Sequence, residues 1–194
     1  MSSSYLKRDQ RVSTIIQAAS QLVVEGGLEA ATVTAIAHRA GVSRQWLYEL
    51  FPDVDAILTA MYEQSVLEYF PALTSVTPEK DGYPNYVKAS VERYLTMPTA
   101  FAVVISAALH QIGETASLGV LRDKILHSFD VEVVTPLENA GFDRDNAFAA
   151  VIAVAETAAG LNIAIARGTT TLEAAKRTLG HVVDAVTRSI STLA

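Results

Sequence analysis

Cysteine is absent from all 194 residues, so the chain can form neither a disulfide framework nor a cysteine-rich zinc site, which suits a reducing cytoplasm. Charge is sparse: 19% of residues are charged against 50% hydrophobic, the balance of a folded chain rather than a disordered one. The opening MSSSYLKRDQR has no apolar run, so no secretory signal is read there. Sustained period-two alternation is missing and no repeat recurs, which leaves an all-α architecture. No nucleophile motif, glycine-rich phosphate loop or paired carboxylate stands out, so the chain is not expected to be an enzyme and no catalytic residue or cofactor is assigned. The four histidines are scattered. His110 and Glu114 are spaced i, i+4 but lack a third ligand, so no metal site is expected either.

What is present is organised around Thr32–Phe51, TVTAIAHRAGVSRQWLYELF. Val33, Ile36, Ala37 and Ala40 recur at helical spacing. Gly41 sits where a helix ends in a left-handed residue, and Ser43 suits the N-cap of a second helix carrying Leu47, Leu50 and Phe51 inward. Two short helices across a tight glycine turn are the signature of a helix-turn-helix, whose second helix enters the DNA major groove. A net charge of −6 opposes that reading only as a single number. Up to Phe51, Lys7, Arg8, Arg11, Arg39 and Arg44 face Asp9, Glu25, Glu29 and Glu49, a balance of +1 that leaves −7 for the remainder. Any anionic partner therefore belongs at the N-terminal end.

Around this unit the periodicity predicts a helix over Lys7–Glu25 stopped by Gly26–Gly27, and another from Asp53 to about Phe70. Residues 71–84 read as a loop. Shorter helices follow over Tyr86–Thr96 and Thr99–Gln111. A long helix over Leu118–Ala140 is bent by Pro136. Ala147–Ala166 is small and apolar all round. Its length raises a membrane span, but Glu156 and Asn162 would be costly in lipid, so it is read as a helix packed within protein. A final helix starts on a capping box, Thr170 with Glu173. The last two helices either complete the monomer's own core or form a four-helix interface with a second copy. That interface would use Ala153, Glu156, Gly160, Ile163, Leu172, Leu179, Val182, Val186 and Ile190.

The N-terminal fifty-odd residues resemble the DNA-binding domain of TetR-family transcriptional regulators. The resemblance rests on Arg11, Ile15, Ala18-Ala19, Thr32-Val33-Thr34, Ile36-Ala37, Ala40-Gly41-Val42-Ser43, Leu47-Tyr48, Phe51-Pro52 and Leu58. It implies a DNA-binding domain over 1–52 and an all-helical effector-binding and dimerisation domain over 53–194. It further implies a cytoplasmic homodimer on a pseudo-palindromic operator, repressing until a small molecule releases it. By position, Thr34 and Tyr48 would contact phosphates beside Thr32, while Arg44, Gln45 and Trp46 would face the groove. Independently, Arg44 has the chemistry to bond guanine and Gln45 adenine. The chain departs from the family pattern at Trp46, Glu49, Leu50 and Val54, which together remove phosphate donors and predict a shallower salt dependence. Effector-pocket candidates are Tyr94, Met97, Phe101, His110, Gln111, Phe129, Glu156 and Asn162, although aromatic and methionine residues at helical spacing are more often ordinary core, and Glu156 can be satisfied across a dimer seam. Two other functions stay open: a constitutive DNA-binding factor without effector, or an all-helical binding protein that has lost operator binding.

Overall fold

The computed structural model describes residues 3–69, 83–110 and 118–191, and every regular element among them is helical. In chain order these are α1 (Ser3–Gly26), a 3₁₀ turn (Leu28–Ala30), α2 (Val33–Ala40), α3 (Arg44–Leu50) and α4 (Val54–Tyr69). Then come α5 (Tyr83–Tyr94), α6 (Thr99–Leu109), α7 (Gly119–Phe129), a π-helical turn (Asp130–Val134), α8 (Thr135–Asn139), α9 (Arg144–Ala166) and α10 (Leu172–Ser191). Most of the loop expected at 71–84, together with Gln111, Glu114 and the side chain of Ile190, lies outside the described residues.

Side-chain caps start the helices that matter for function. Thr32 Oγ1 accepts from the Ala35 N–H at 3.2 Å, Ser43 Oγ from Trp46 N–H at 3.1 Å, and Asp53 Oδ1 from Ala56 N–H at 2.8 Å. Each satisfies a donor that a helix start would otherwise leave unpaired, at about 1 kcal/mol of stabilisation. Between α2 and α3 the chain turns through Gly41 at φ 67°, the left-handed conformation that a Cβ would strain.

Two local readings are corrected. The final helix is capped by Thr171, whose Oγ1 accepts from Ala174 N–H at 3.2 Å, rather than by Thr170 with Glu173. Upstream, Thr169 bonds back through both N–H and Oγ1 to the Ala164 carbonyl at the end of α9, which leaves Thr171 as the residue that opens the next helix. The expected long bent helix is α7, the π turn and α8. Pro136 has no N–H to donate and its ring crowds the carbonyl four residues back. The chain widens just before it, with Thr135 N–H reaching the Asp130 carbonyl.

Ile15, Ala19 and Val23 of α1, Ile36 of α2, Leu47 of α3 and Ile57 and Leu58 of α4 are all buried. Each large one contributes about 1.5–3 kcal/mol relative to exposure. The same apolar cluster runs on through Phe101, Val104 and Ile105 of α6, Leu121 and Ile125 of α7, Ala158 of α9, and Leu179 and Val183 of α10. Helix α1 packs on α2, α4 and α6, so the boundary expected between residues 52 and 53 is bridged by continuous packing. A smaller cluster of Val134, Leu137 and Ala147 seats α8 against α9.

Candidate nucleic-acid interface

The turn and caps above fix which way α3 faces. Leu47 is fully buried and Phe51, its C-cap, nearly so. With about 3.6 residues per turn, Gln45 and Glu49 then lie opposite Leu47, Arg44 and Tyr48 share one flank, and Trp46 and Leu50 share the other. Arg44, Gln45, Tyr48 and Glu49 are exposed, Tyr48 at 54%. Trp46 is half-buried and packs toward α1, where the Arg11 guanidinium lies 4.7 Å from its ring centroid. Thr34 is exposed in the first turn of α2. Thr32 is also exposed; its oxygen accepts the cap bond while its hydroxyl proton can still donate.

Charge on this face is thin and partly committed. Arg39 is tied to Glu25 at 2.7 Å, which fastens the end of α2 to the end of α1. Among the described residues Arg8, Arg11 and Arg44 make no ion pair with a carboxylate. A guanidinium over an aromatic face keeps its in-plane N–H edge available to an oxyanion. From the sequence, Lys7, Arg8 and Arg11 read as free for solvent or phosphate, and Arg11 also belongs to the family resemblance; its contact with Trp46 is long-range and follows no spacing rule.

The pocket candidates separate. Tyr94, Met97, Phe101 and Phe129 are buried core, with Phe101 stacked on Tyr62 at 5.5 Å and 6° and tilted against Tyr94 at 6.0 Å. Burial pushes the phenol of Tyr94 up from its ordinary value near 10. Tyr62 is raised too, again mainly by burial, although its hydrogen bond to Ser128 opposes the shift. Asn162 is buried and donates from Nδ2 to the Tyr94 and Met97 carbonyls, each at 2.9 Å, leaving its Oδ1 without a partner. His110 departs from expectation: its side chain is 71% exposed, at the end of α6, with Nδ1 at 2.6 Å from the Ser106 carbonyl. Glu156 sits beside it, accepting from Ser106 Oγ at 3.1 Å. These polar groups thus line the surface where α6 meets α9.

A cleft of about 290 Å³ lies elsewhere, where α1 meets α4 and α6. Its walls include Ser13, Gln17 and Ser20 of α1, Gln64 and Ser65 of α4, and the apolar Ile16, Met61 and Phe101. Of the pocket candidates among the described residues, only Phe101 reaches it. The available signal was the polar i, i+4, i+7 series of Ser13, Gln17 and Ser20, which reads equally well as a solvated helix face.

Of the residues expected at the dimer seam, Leu179 is 1% exposed and packs in the protomer's own core. Ala153 and Gly160 of α9 are exposed, while Glu156, Ile163, Leu172, Val182 and Val186 are half-buried. Within the described residues α9 is the helix long and apolar enough to cross a membrane, and 33% of its most apolar stretch is buried inside the protomer. A Cβ placed on Gly160 would meet nothing within 4 Å.

An all-helical chain that presents a capped recognition helix with exposed Arg44, Gln45 and Tyr48 is of the helix-turn-helix DNA-binding class. Residues 15–61 match the family described as bacterial regulatory proteins, tetR family. The fold is similar to that of a transcriptional regulator from Rhodococcus sp. Rha1, with 21% identity, TM-score 0.70, and coverage of 92% of this chain and 96% of that one. It is similar also to the regulator FadR from Bacillus subtilis in complex with stearoyl-CoA, with 16% identity, TM-score 0.65, and coverage of 88% and 96%. NalD of Pseudomonas aeruginosa, the secondary repressor of the MexAB-OprM multidrug efflux pump, matches at 16% identity and TM-score 0.63, over 93% and 95%. No curated protein matches the sequence. Residues 15–61 thus match the tetR-family DNA-binding domain, and the fold over the chain is similar to that of TetR-like regulators.

Proposed function

We propose that the chain is a homodimeric, cytoplasmic repressor. Its paired α3 helices read a pseudo-palindromic operator, and a small-molecule effector releases them. The observation that carries this reading is the exposed edge of α3, where Arg44 and Gln45 stand on a helix capped by Ser43 and backed by buried Leu47. Arg44 bonds guanine O6 and N7, Gln45 reads adenine, and Tyr48, Thr34 and Thr32 hold phosphate oxygens. The N-terminal unit over 1–52 does the reading, and residues 53–194 carry dimerisation and effector binding. Two copies meet through α9 and α10, because the apolar surface of α9 needs covering and the open space over Gly160 admits a second helix.

Effector control is supported by kinship of fold: NalD is described as a repressor, and FadR was solved with stearoyl-CoA. A route from the larger unit to the reading head starts next to α3. Asp55 in the first turn of α4 accepts from the Leu118 N–H at 3.2 Å, and Leu118 has a positive φ of 65°. Leucine in that conformation costs about 1–2 kcal/mol, so the contact holds a strained joint that a bound ligand can shift.

Selection from random duplexes by the full chain is expected to yield a two-fold symmetric site. Arg44→Ala should weaken binding to it by about tenfold to a hundredfold, the worth of a bidentate guanine contact, with helical content unchanged. Equal affinity in parent and variant would remove α3 as the reading element. The packing of Phe101 against both Tyr62 and Tyr94, with Met97 buried as well, favours a second reading, a DNA-binding factor without effector. Titrating the bound duplex with a metabolite panel separates the two, since only a repressor with an effector loses operator affinity to some compound.

A further inference from the structure

Trp46 lies within the reading helix, yet its position on α3 does not suit a base reader. It is half-buried, packs against the core, and lies on the flank of α3 that faces α1, away from Arg44 and Tyr48. Arg11, on the exposed face of α1, lies over its ring at 4.7 Å. The four residues whose ring or charge would matter here are therefore sorted by geometry into two pairs: Arg44 with Tyr48, and Trp46 with Arg11.

We propose that Arg11 is a DNA-backbone contact and that Trp46 is the residue that positions it. The ring takes one face of the planar guanidinium, so the group cannot swing into solvent, and its N–H edge is left pointing along the surface shared by α1 and α3. Such an edge suits a phosphate oxygen pair, which a guanidinium binds bidentately. Arg11 has no carboxylate partner among the described residues to compete with phosphate, whereas Arg39 is committed to Glu25. In this arrangement α1 and the reading helix grip the duplex together. The ring thereby compensates at one point for the phosphate donors that Leu50 and Val54 do not supply. Trp46 contributes affinity and orientation, and sequence preference is left to Arg44 and Gln45. This assignment rests on the DNA-binding function proposed above.

The test uses the full chain with a mixed-sequence duplex, which needs no knowledge of the operator, and titrates affinity against salt. Arg11→Ala should reduce the magnitude of the log-affinity against log-salt slope by about 0.9 for each phosphate that Arg11 neutralises in the parent. Trp46→Ala should reduce it by a similar amount, and Arg11→Ala added to Trp46→Ala should reduce it little further. Trp46→Phe keeps a ring and a packed core, so it should retain most of the parent slope; this guards against a Trp46→Ala variant that folds poorly. In the free protein Arg11→Ala should shift the emission of Trp46, the single tryptophan. That measurement reports the ring–guanidinium pair whether or not DNA binds. The proposal is overturned if Arg11→Ala leaves the slope unchanged. It is overturned also if the effects of the two single variants simply add, or if Trp46→Phe changes the selected sequence while keeping the slope. A parent chain that binds no duplex at all would overturn the DNA-binding reading and the Arg11 assignment with it. An Arg44→Ala effect on a selected site with no Arg11 effect on slope would overturn the Arg11 assignment alone.

Discussion

Asn162 shows at the level of one residue how a polar group inside an apolar helix bundle is tolerated. Its Nδ2 reaches the two carbonyls that end α5 and open the turn before α6, at 2.9 Å each, and so ties α9 to that turn. Its Oδ1 has no partner. Asn162→Leu removes the unpaired acceptor but strands both carbonyls. The expected net loss is about 1–3 kcal/mol, read as a lower midpoint in urea unfolding. A midpoint equal to the parent's would show that the two carbonyls find other donors. The buried tyrosines make a second residue-scale statement. Tyr62 and Tyr94 have folded-state values above the ordinary one near 10, mainly from burial. A raised folded value means that the stability they confer is complete below the unfolded value and is lost as pH climbs above it. The parent should therefore lose thermal stability between about pH 10 and 11.5, with the unfolded phenols ionising first. Tyr94→Phe should lose less over the same window in parallel melts.

At the scale of the element, the two-helix unit depends on Gly41 and on caps more than on propensity. Helices α2 and α3 are 8 and 7 residues long, too short to hold themselves in water without tertiary packing. A Cβ on Gly41 meets nothing within 4 Å, so Gly41→Ala tests the backbone alone. About 1 kcal/mol should be lost, since alanine must adopt the left-handed conformation at a position glycine occupies freely. Gly41→Asn should lose less, because asparagine tolerates that region. Chemical unfolding of the two variants checks the order. If Gly41→Asn proved the less stable, side-chain packing rather than conformation would govern the turn. The π turn is the other device at this scale. It carries the helical backbone through to Pro136, and α8 seats Leu137 against Ala147.

At the scale of the whole molecule, one apolar cluster joins α1 to α10, so the reading head and the larger unit move as neighbours rather than as beads on a linker. Association is the main prediction here. Gly160 is exposed on α9, and a Cβ there would meet no atom of the described residues within 4 Å. Gly160→Arg should leave the fold intact and even favour the helix by about 0.5–1 kcal/mol. At the proposed seam it would place a charged side chain between two helices. Sedimentation or light scattering should then give a monomer of half the parent's mass, with operator binding abolished while melting remains cooperative. A Gly160→Arg variant that stays dimeric would move the seam away from α9.

Much of this was legible along the chain because the decisive features are local. Helical periodicity over Ile15–Val23 and Val33–Ala40, a glycine at a left-handed turn, and Ser, Thr or Asp at helix starts each depend on residues within one or two turns. Sequence alone therefore determined the helical class, the helix-turn-helix and the exposed identities of Arg44, Gln45 and Tyr48. Tertiary structure decided whatever depends on which helix lies across another. It buried Leu179 in the protomer, left His110 at the surface, and set Arg11 over Trp46, 35 positions away in the chain. It also opened a cleft at α1, α4 and α6, with Phe101 in its wall. An apolar or polar face reads the same in sequence whatever covers it, and only the packing of one helix on the next decides whether that cover is core, cleft or water.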